Sequence, residues 1–406
     1  MIRKQVSRRS FAVASMVSGA NLSSAFACAP CEAEARPGEW CRLLRDYPVA
    51  QVQAISPDGR WLCLNRGSAV SRFRANLGEA FRRVGGASHR LVLVETGSWR
   101  EALVVPLPSR LVNASFFAEG QRLLGEVHLL GTRDVRYLLI DVPSMKSEVT
   151  TVSVPQGAFY LSWACAADRV LRLERREPTL PTPQREETYR LFRLTSGVSM
   201  EEIGRLPEGY VPPEKWIGGP NISLDRRWLL HSLGGEKVVF RSCIDLQERW
   251  ALSVERGLRF WATGVSHNGA FAVCSVTLPA GRYGRTGPTS PRDHLLVIDA
   301  KKGVVLQRLA VATNACENVA ISGDGCLIAA GYIRSHMDNQ KGVDETLIDL
   351  IHAKTGQVLQ TLVHCLTKPN DRLESGLDGG VHFTADGKYL ISSGNSSRIW
   401  QLAEQL

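Results

Sequence analysis

Along most of the chain, apolar and polar residues alternate over four to eight positions, the period of a strand buried on one face. These stretches come in pairs around a short turn. The clearest are ISPDGRWLCL from Ile55, ISLDRRWLLHS from Ile222, VSHNGAFAVCS from Val265, ISGDGCLIAAG from Ile321 and FTADGKYLISS from Phe383. FFAEGQRLLG from Phe116 and LSWACAADRVLRL from Leu161 are weaker copies and bring the number to seven. Glycine at the turn allows the positive φ that closes a hairpin, and the neighbouring acid can bond nearby backbone. Asp58, Asp324 and Asp386 are therefore assigned to turns and not to acid catalysis.

A second signal follows most copies: an alternating strand ending in an Asp or Thr-Gly turn, as in HRLVLVETGSW from His89, VRYLLIDVPS from Val135, DHLLVIDAKKG from Asp293 and DLIHAKTGQVLQTL from Asp349. Each unit thus predicts four strands, a to d, with the first turn joining a to b. The units start 61, 45, 61, 43, 56 and 62 residues apart, so insertions separate intact repeats. The expected fold is all-β, a seven-bladed β-propeller. The SPDG-type hairpins followed by a Thr-Gly turn resemble WD-repeat and related bacterial propellers, from about Trp40 to Leu402. The paired Gly-His and Trp-Asp signatures of true WD repeats are missing, with Ile399-Trp400-Gln401-Leu402 the nearest relic. The hydrogen-bond network those residues provide in that family is accordingly not assumed.

The ends of the repeat region supply an independent check. RIWQL near the C-terminus fits a c strand and leaves the seventh blade without an outer strand. Trp40 to Asp46 is a spare strand ahead of the first a strand. Pairing the two closes the ring and removes an open sheet edge.

Antiparallel order puts the a–b and c–d turns at one end and the b–c and d–a connections at the other. The first set is uniformly tight. Long connections fall in the second, at about 66–88, 175–186, 278–292 and 334–343 for b–c, and 207–216 and 364–379 for d–a; loops this long in a compact domain commonly carry function. The four b–c segments carry net charges of +4, +1, +3 and +1, together more than the +5 of the chain without its leader. The expected partner-binding residues are Arg72, Arg74, Arg82, Arg83, Arg282, Arg285, Arg292 and Arg334, since guanidinium forks suit carboxylates, phosphates and sulfates. Arginine is also this protein's default base, with only 10 lysines among 49 basic residues. Val70, Phe73, Leu77, Ala80, Phe81 and Val84 recur at helical spacing, so a short amphipathic helix is expected across the looped face.

With 44% hydrophobic and 22% charged residues the chain is too apolar for disorder, and no stretch of 18 apolar residues predicts a spanning helix. Residues 1–27 read as an export signal: Arg3 and Lys4, then Ser7-Arg8-Arg9-Ser10-Phe11, a weakly apolar run and Ala25-Phe26-Ala27 for cleavage. Arg8-Arg9 in this setting resembles the twin-arginine signal of proteins exported already folded, although Ala12 and Val13 replace the preferred Leu and Lys. Residues 28–38 form a short tail and 39–406 the propeller. The expected location is periplasmic or secreted in a bacterium, with a membrane anchor only if Cys28 is lipidated. The mildly basic balance after export gives weak grounds for nucleic acid, and none is expected as a partner.

Catalytic signatures are absent. There is no G-x-S-x-G, no G-x-G-x-x-G and no phosphate loop. The repeats occupy the chain to its last strand, leaving no residues for an appended hydrolase domain of the prolyl oligopeptidase kind. Cys28-Ala29-Pro30-Cys31 is followed by Glu32, so it is no haem site, and no second pair completes a zinc site. The other cysteines fall mostly in strand patterns as buried fillers, with one or two bridges possible after export. His89, His294, His336 and His364 fall near the looped end but show no ligand spacing. No cofactor is implied. The expectation is an exported, non-enzymatic binding or scaffold propeller, its Arg-rich face engaging an envelope protein or an anionic ligand. The alternative is a propeller enzyme, lactonase-like or a metal-dependent oxidoreductase, with its site at the axial mouth.

Overall fold

The computed structural model describes residues 40–47, 50–67, 89–109, 111–129, 132, 134–155, 158–166, 168–176, 186–195, 199–206, 209–210, 221–233, 235–278, 293–310, 316–338, 341–367, 380–394 and 396–403. Strand β1 (Cys41–Tyr47) comes first. Blade 1 follows with β2 (Ala50–Ile55), β3 (Trp61–Arg66), β4 (His89–Glu95) and β5 (Arg100–Leu107). Blade 2 holds β6 (Leu111–Phe116), β7 (Arg122–His128), β8 (Asp134–Asp141) and β9 (Lys146–Ser153). Blade 3 holds β10 (Ala158–Ala164), β11 (Arg169–Arg176), β12 (Glu186–Leu194) and β13 (Met200–Arg205), with the short β14 (Gly209–Tyr210) added beside β12. Blade 4 is β15 (Asn221–Ile222), β16 (Trp228–Leu233), β17 (Lys237–Ser242) and β18 (Glu248–Ser253). Blade 5 is β19 (Arg259–Val265), β20 (Phe271–Thr277), β21 (His294–Asp299) and β22 (Val304–Ala310). Blade 6 is β23 (Asn318–Ile321), β24 (Leu327–Asp338), β25 (Lys341–His352) and β26 (Val358–Thr367). Blade 7 is β27 (Gly380–Phe383), β28 (Tyr389–Ser393) and β29 (Ser397–Leu402). Its fourth strand is β1, which pairs antiparallel with β29 from Cys41↔Leu402 to Tyr47↔Ser397. The fold is the expected all-β, seven-bladed propeller, closed by its N-terminal strand.

Seven apolar layers hold the ring, one between each pair of neighbouring blades. Between blades 1 and 2, for example, Leu91, Leu93 and Cys63 pack on Leu111, Phe116 and Leu123. A blade buries both its faces this way, which explains the near-continuous apolar runs of the b and c strands. The outer d strands alternate instead: β9 exposes Val149 and β22 exposes Val304.

Five of the seven a–b turns share one hydrogen-bond pattern. In blade 1 the Ser56 hydroxyl donates to Asp58, whose Oδ1 also accepts from the Arg60 N–H, while the Trp61 N–H donates to Ser56 Oγ. Ser223/Asp225, Ser266/Asn268, Ser322/Asp324 and Thr384/Asp386 repeat it. The aspartates do shape turns. Blade 4 has Arg226 at the left-handed position, φ 61°, where the other four turns have glycine at 65–76°.

One expected loop proves to be largely strand, and two others are shortened by strand at their ends. Residues 334–338 and 341–343 extend β24 and β25 into a 12-residue hairpin pair joined through 339–340. Likewise β11 and β12 run to Arg176 and from Glu186, and β26 continues to Thr367. The remaining expected long connections, and the helix expected over 70–84, lie outside the described residues.

Candidate binding face and axial channel

Arg72, Arg74, Arg82, Arg83, Arg282, Arg285 and Arg292 lie outside the described residues. Their stems are visible. Residues 68–88 join the ends of β3 and β4, and Gly67 sits so close to the His89 ring that a Cβ there would be 2.7 Å from Nδ1. Residues 279–292 join β20 to β21. The buried Asp293 pins that stem by accepting from the Thr277 hydroxyl at 2.8 Å and from the Leu278 N–H at 3.2 Å. Both stems stand at the b–c end of the ring, on blades 1 and 5.

The other basic residues at this end face acids across their ladders. Arg334 is a strand residue in register with Glu345, and Lys341 is opposite Asp338. Arg175 and Arg176 stand opposite Glu187 and Glu186. Arg66 pairs with Glu101 at 2.6 Å. By sequence, the connections 68–88 and 279–292 each carry a net +3.

The innermost strands contact one another around the axis and line a channel. Three of them carry a one-residue bulge. In β19 the pairing jumps from Phe260↔Val276 to Thr263↔Cys274. Phe260 packs into the layer between blades 4 and 5, whereas Ala262 packs into the layer between blades 5 and 6. Trp261 falls between them and belongs to neither face. Its strand has a ladder partner only on the outer side, so the indole is directed at the axis, where it is 39% exposed. Bulges commonly re-aim a side chain in this way. The same irregularity places Gln53 in β2, between Val52 and Ala54, and Val112 in β6, between Leu111 and Asn113, at half-buried inward positions. Blade 5 is three steps from both blade 1 and blade 2, so Trp261 faces that pair across the channel.

Amides tie the inner wall together. Asn113 Nδ2 donates to the Ser162 carbonyl at 2.7 Å and Asn221 Nδ2 to Thr263 Oγ1 at 2.7 Å, each reaching from one blade to the next. At the tight-turn end Leu224, in the turn of blade 4, packs against the layer between blades 7 and 1, on the far side of the ring. The channel is thus spanned at that end. Sequence reasoning missed this feature. Its only trace is the unbroken Phe260-Trp261-Ala262, which interrupts alternation.

The histidines do not form a shared centre. His364, expected in a loop, lies in the outer strand β26, where Nδ1 bonds Ser392 Oγ at 2.8 Å. Trp400 Nε1 donates to the same oxygen at 3.0 Å. Burial and the Arg398 charge push His364 down to about 4. A Trp–Ser–His chain therefore ties blade 7 to the outer strand of blade 6, which the missing Gly-His and Trp-Asp signatures did not predict. His89 and His294 begin c strands, third from the axis, in different blades. Of His336 the structure gives only the β24 register, opposite Val343. No group of three or more potential metal ligands occurs among the described residues.

One buried polar cluster lies between blades 2 and 3. Glu126 accepts from or shares a proton with His128 Nε2 at 2.9 Å, and its carboxyl is raised above the usual range by burial. The Arg172 guanidinium lies over Tyr137, Tyr160 and Phe192, 4.4–5.3 Å from their ring centres. Glu126 is fully buried at this layer, whereas His128 is partly exposed.

No protein-family description and no curated protein matches this chain.

Proposed function

We propose that the chain is an exported, non-enzymatic binding or scaffold propeller whose looped face engages an acidic protein or another anionic ligand of the bacterial envelope. One observation carries this reading. Two arginine-rich segments, each with a net +3, connect the b and c strands of blades 1 and 5 at the same end of the ring. Two like-charged segments about a common mouth focus field lines and speed the approach of anions. The twin-arginine-like pattern of the leader supports an exported protein of the periplasm or cell exterior, and the Trp400–Ser392–His364 chain supports a WD-repeat-like ancestry for the blades.

The test is gentle crosslinking in the envelope followed by mass spectrometry, with a variant carrying Arg72→Glu, Arg74→Glu, Arg82→Glu and Arg83→Glu beside the natural protein. A partner captured by the natural protein and lost from the variant supports the reading. A partner retained equally by both overturns it, as does turnover of a small molecule by the pure protein.

A further inference from the structure

We propose that the axial channel is a binding site in its own right, for a solute that combines a flat apolar face with an anionic group. Trp261 is the stacking surface and Arg259 the counter-charge. Tryptophan is costly to expose, yet here a bulge takes an indole out of the two blade layers that would have buried it and turns it to the channel. Arg259 begins the same inner strand at the looped mouth, is half-buried, and has no acid partner among the described residues. Asn113 and Asn221 use their amide N–H groups on neighbouring blades, and their carbonyl oxygens have no protein partner among the described residues. An indole face, a guanidinium with no acid partner among the described residues and a few fixed acceptors about one axis are the usual mix of a small-ligand site, apolar surface with a few polar groups. A purely apolar solute would leave Arg259 unanswered, and a bare inorganic anion would leave Trp261 unused. Aromatic carboxylates and acidic sugars share the required chemistry.

Isothermal titration of the full mature protein with 2-naphthoate, trigalacturonate and neutral maltotriose separates these sources. At least one acid is expected to bind with a micromolar Kd. Trp261→Ala should weaken it about tenfold, the scale of a lost stacking contact, and Arg259→Gln several-fold, with thermal midpoints unchanged. Which acid binds identifies the source. Failure of both acids to bind below millimolar concentration overturns the proposal, as does an unchanged Kd in Trp261→Ala or equal binding of maltotriose. The site is independent of the arginine-rich segments. Binding that survives the four-arginine reversal supports it even if the docking reading fails.

A different observation carries a second inference. Cys165 follows β10 of blade 3 and Cys243 follows β17 of blade 4; both are fully buried in the same layer between those blades. The structure assigns them as the pair that forms an inter-blade disulfide once the protein meets an oxidising compartment. The neighbouring Cys243 thiol and the buried Arg226 guanidinium lower the Cys165 thiol from its usual range. Before the layer closes over the pair, one thiolate displaces one half of an oxidant disulfide and the other thiolate then displaces the second half, so two protons and two electrons leave the protein. Refolding in a glutathione redox buffer, alkylation in denaturant and peptide mapping test it. A linked Cys165–Cys243 peptide is expected. Alkylation of both thiols after refolding under oxidising glutathione overturns it, as does linkage of either to a different cysteine.

Discussion

Cys41 lies directly opposite Leu402, so the first and last described strands share one blade and the ring is closed by hydrogen bonds between distant parts of the chain. Arg42 adds a side-chain tie, with Nη2 donating to Gln401 Oε1 at 2.7 Å, and Trp40 and Cys41 are buried against blades 6 and 7.

Removing residues 28–47 should therefore cost more than an ordinary terminal truncation. The loss of the buried Trp40 alone is worth about 3 kcal/mol or more, and the deletion leaves β29 as an open edge. Urea unfolding should show the lower midpoint, and light scattering a concentration-dependent association. A midpoint within error of the natural protein would contradict this closure.

Gly264 lies where the inner strands of blades 5 and 6 approach most closely. A Cβ there would stand 2.4 Å from the Val319 carbonyl oxygen, which is backbone and has no rotamer to yield. Gly264→Ala is expected to destabilise by roughly 1–3 kcal/mol through overpacking. Gly97→Ala, with open space around it, is the control that should change little.

Arg226 occupies a left-handed position that favours glycine. Arg226→Gly and Arg226→Ala both remove the guanidinium, so their difference reports the turn alone. Glycine should be the more stable by about 1 kcal/mol. Equal stabilities would mean that the turn relaxes out of its positive φ.

His231 and His364 are both pushed down to about 4 by burial, helped by Arg241 and Arg398 respectively. A folded-state value below the unfolded value of about 6.5 means that the native state prefers the neutral ring. The resulting stability is present above pH 6.5 and lost as pH falls toward 4, at full effect on the order of 3 kcal/mol for each histidine. Glu126 opposes this: its carboxyl is raised by burial, so its contribution is present at low pH and disappears as pH rises through its folded-state value. Unfolding free energies measured from pH 7 to 4 should fall in the natural protein and fall less steeply in His231→Gln/His364→Gln.

Strand identity and blade number were legible in the amino-acid order because each is written locally. Alternation with period two marks a strand, and Ser/Thr-x-Asp/Asn turns such as Ser56 to Trp61 close on themselves within six residues. The extent of the connections was less legible. Arg334 and Lys341 look like loop residues because charge and absent apolar alternation resemble a loop, yet cross-strand partners such as Glu345 and Asp338 let both strands of the hairpin continue. His364 was misplaced because the strand that carries it, β26, follows the lengthened β25 to Thr367.

The sequence by itself determined what depends on neighbours along the chain: seven hairpin repeats, a tight end and a long-looped end, and a spare strand matched to a missing one. Tertiary structure decided what depends on neighbours around the ring. Two thiols far apart in order meet only because blades 3 and 4 pack face to face. Trp261 is a channel residue only because a single bulge shifts which face each following side chain takes. A strand's period of two says that side chains alternate. It is the packed blade on either side, and its absence at the axis, that gives each direction a meaning.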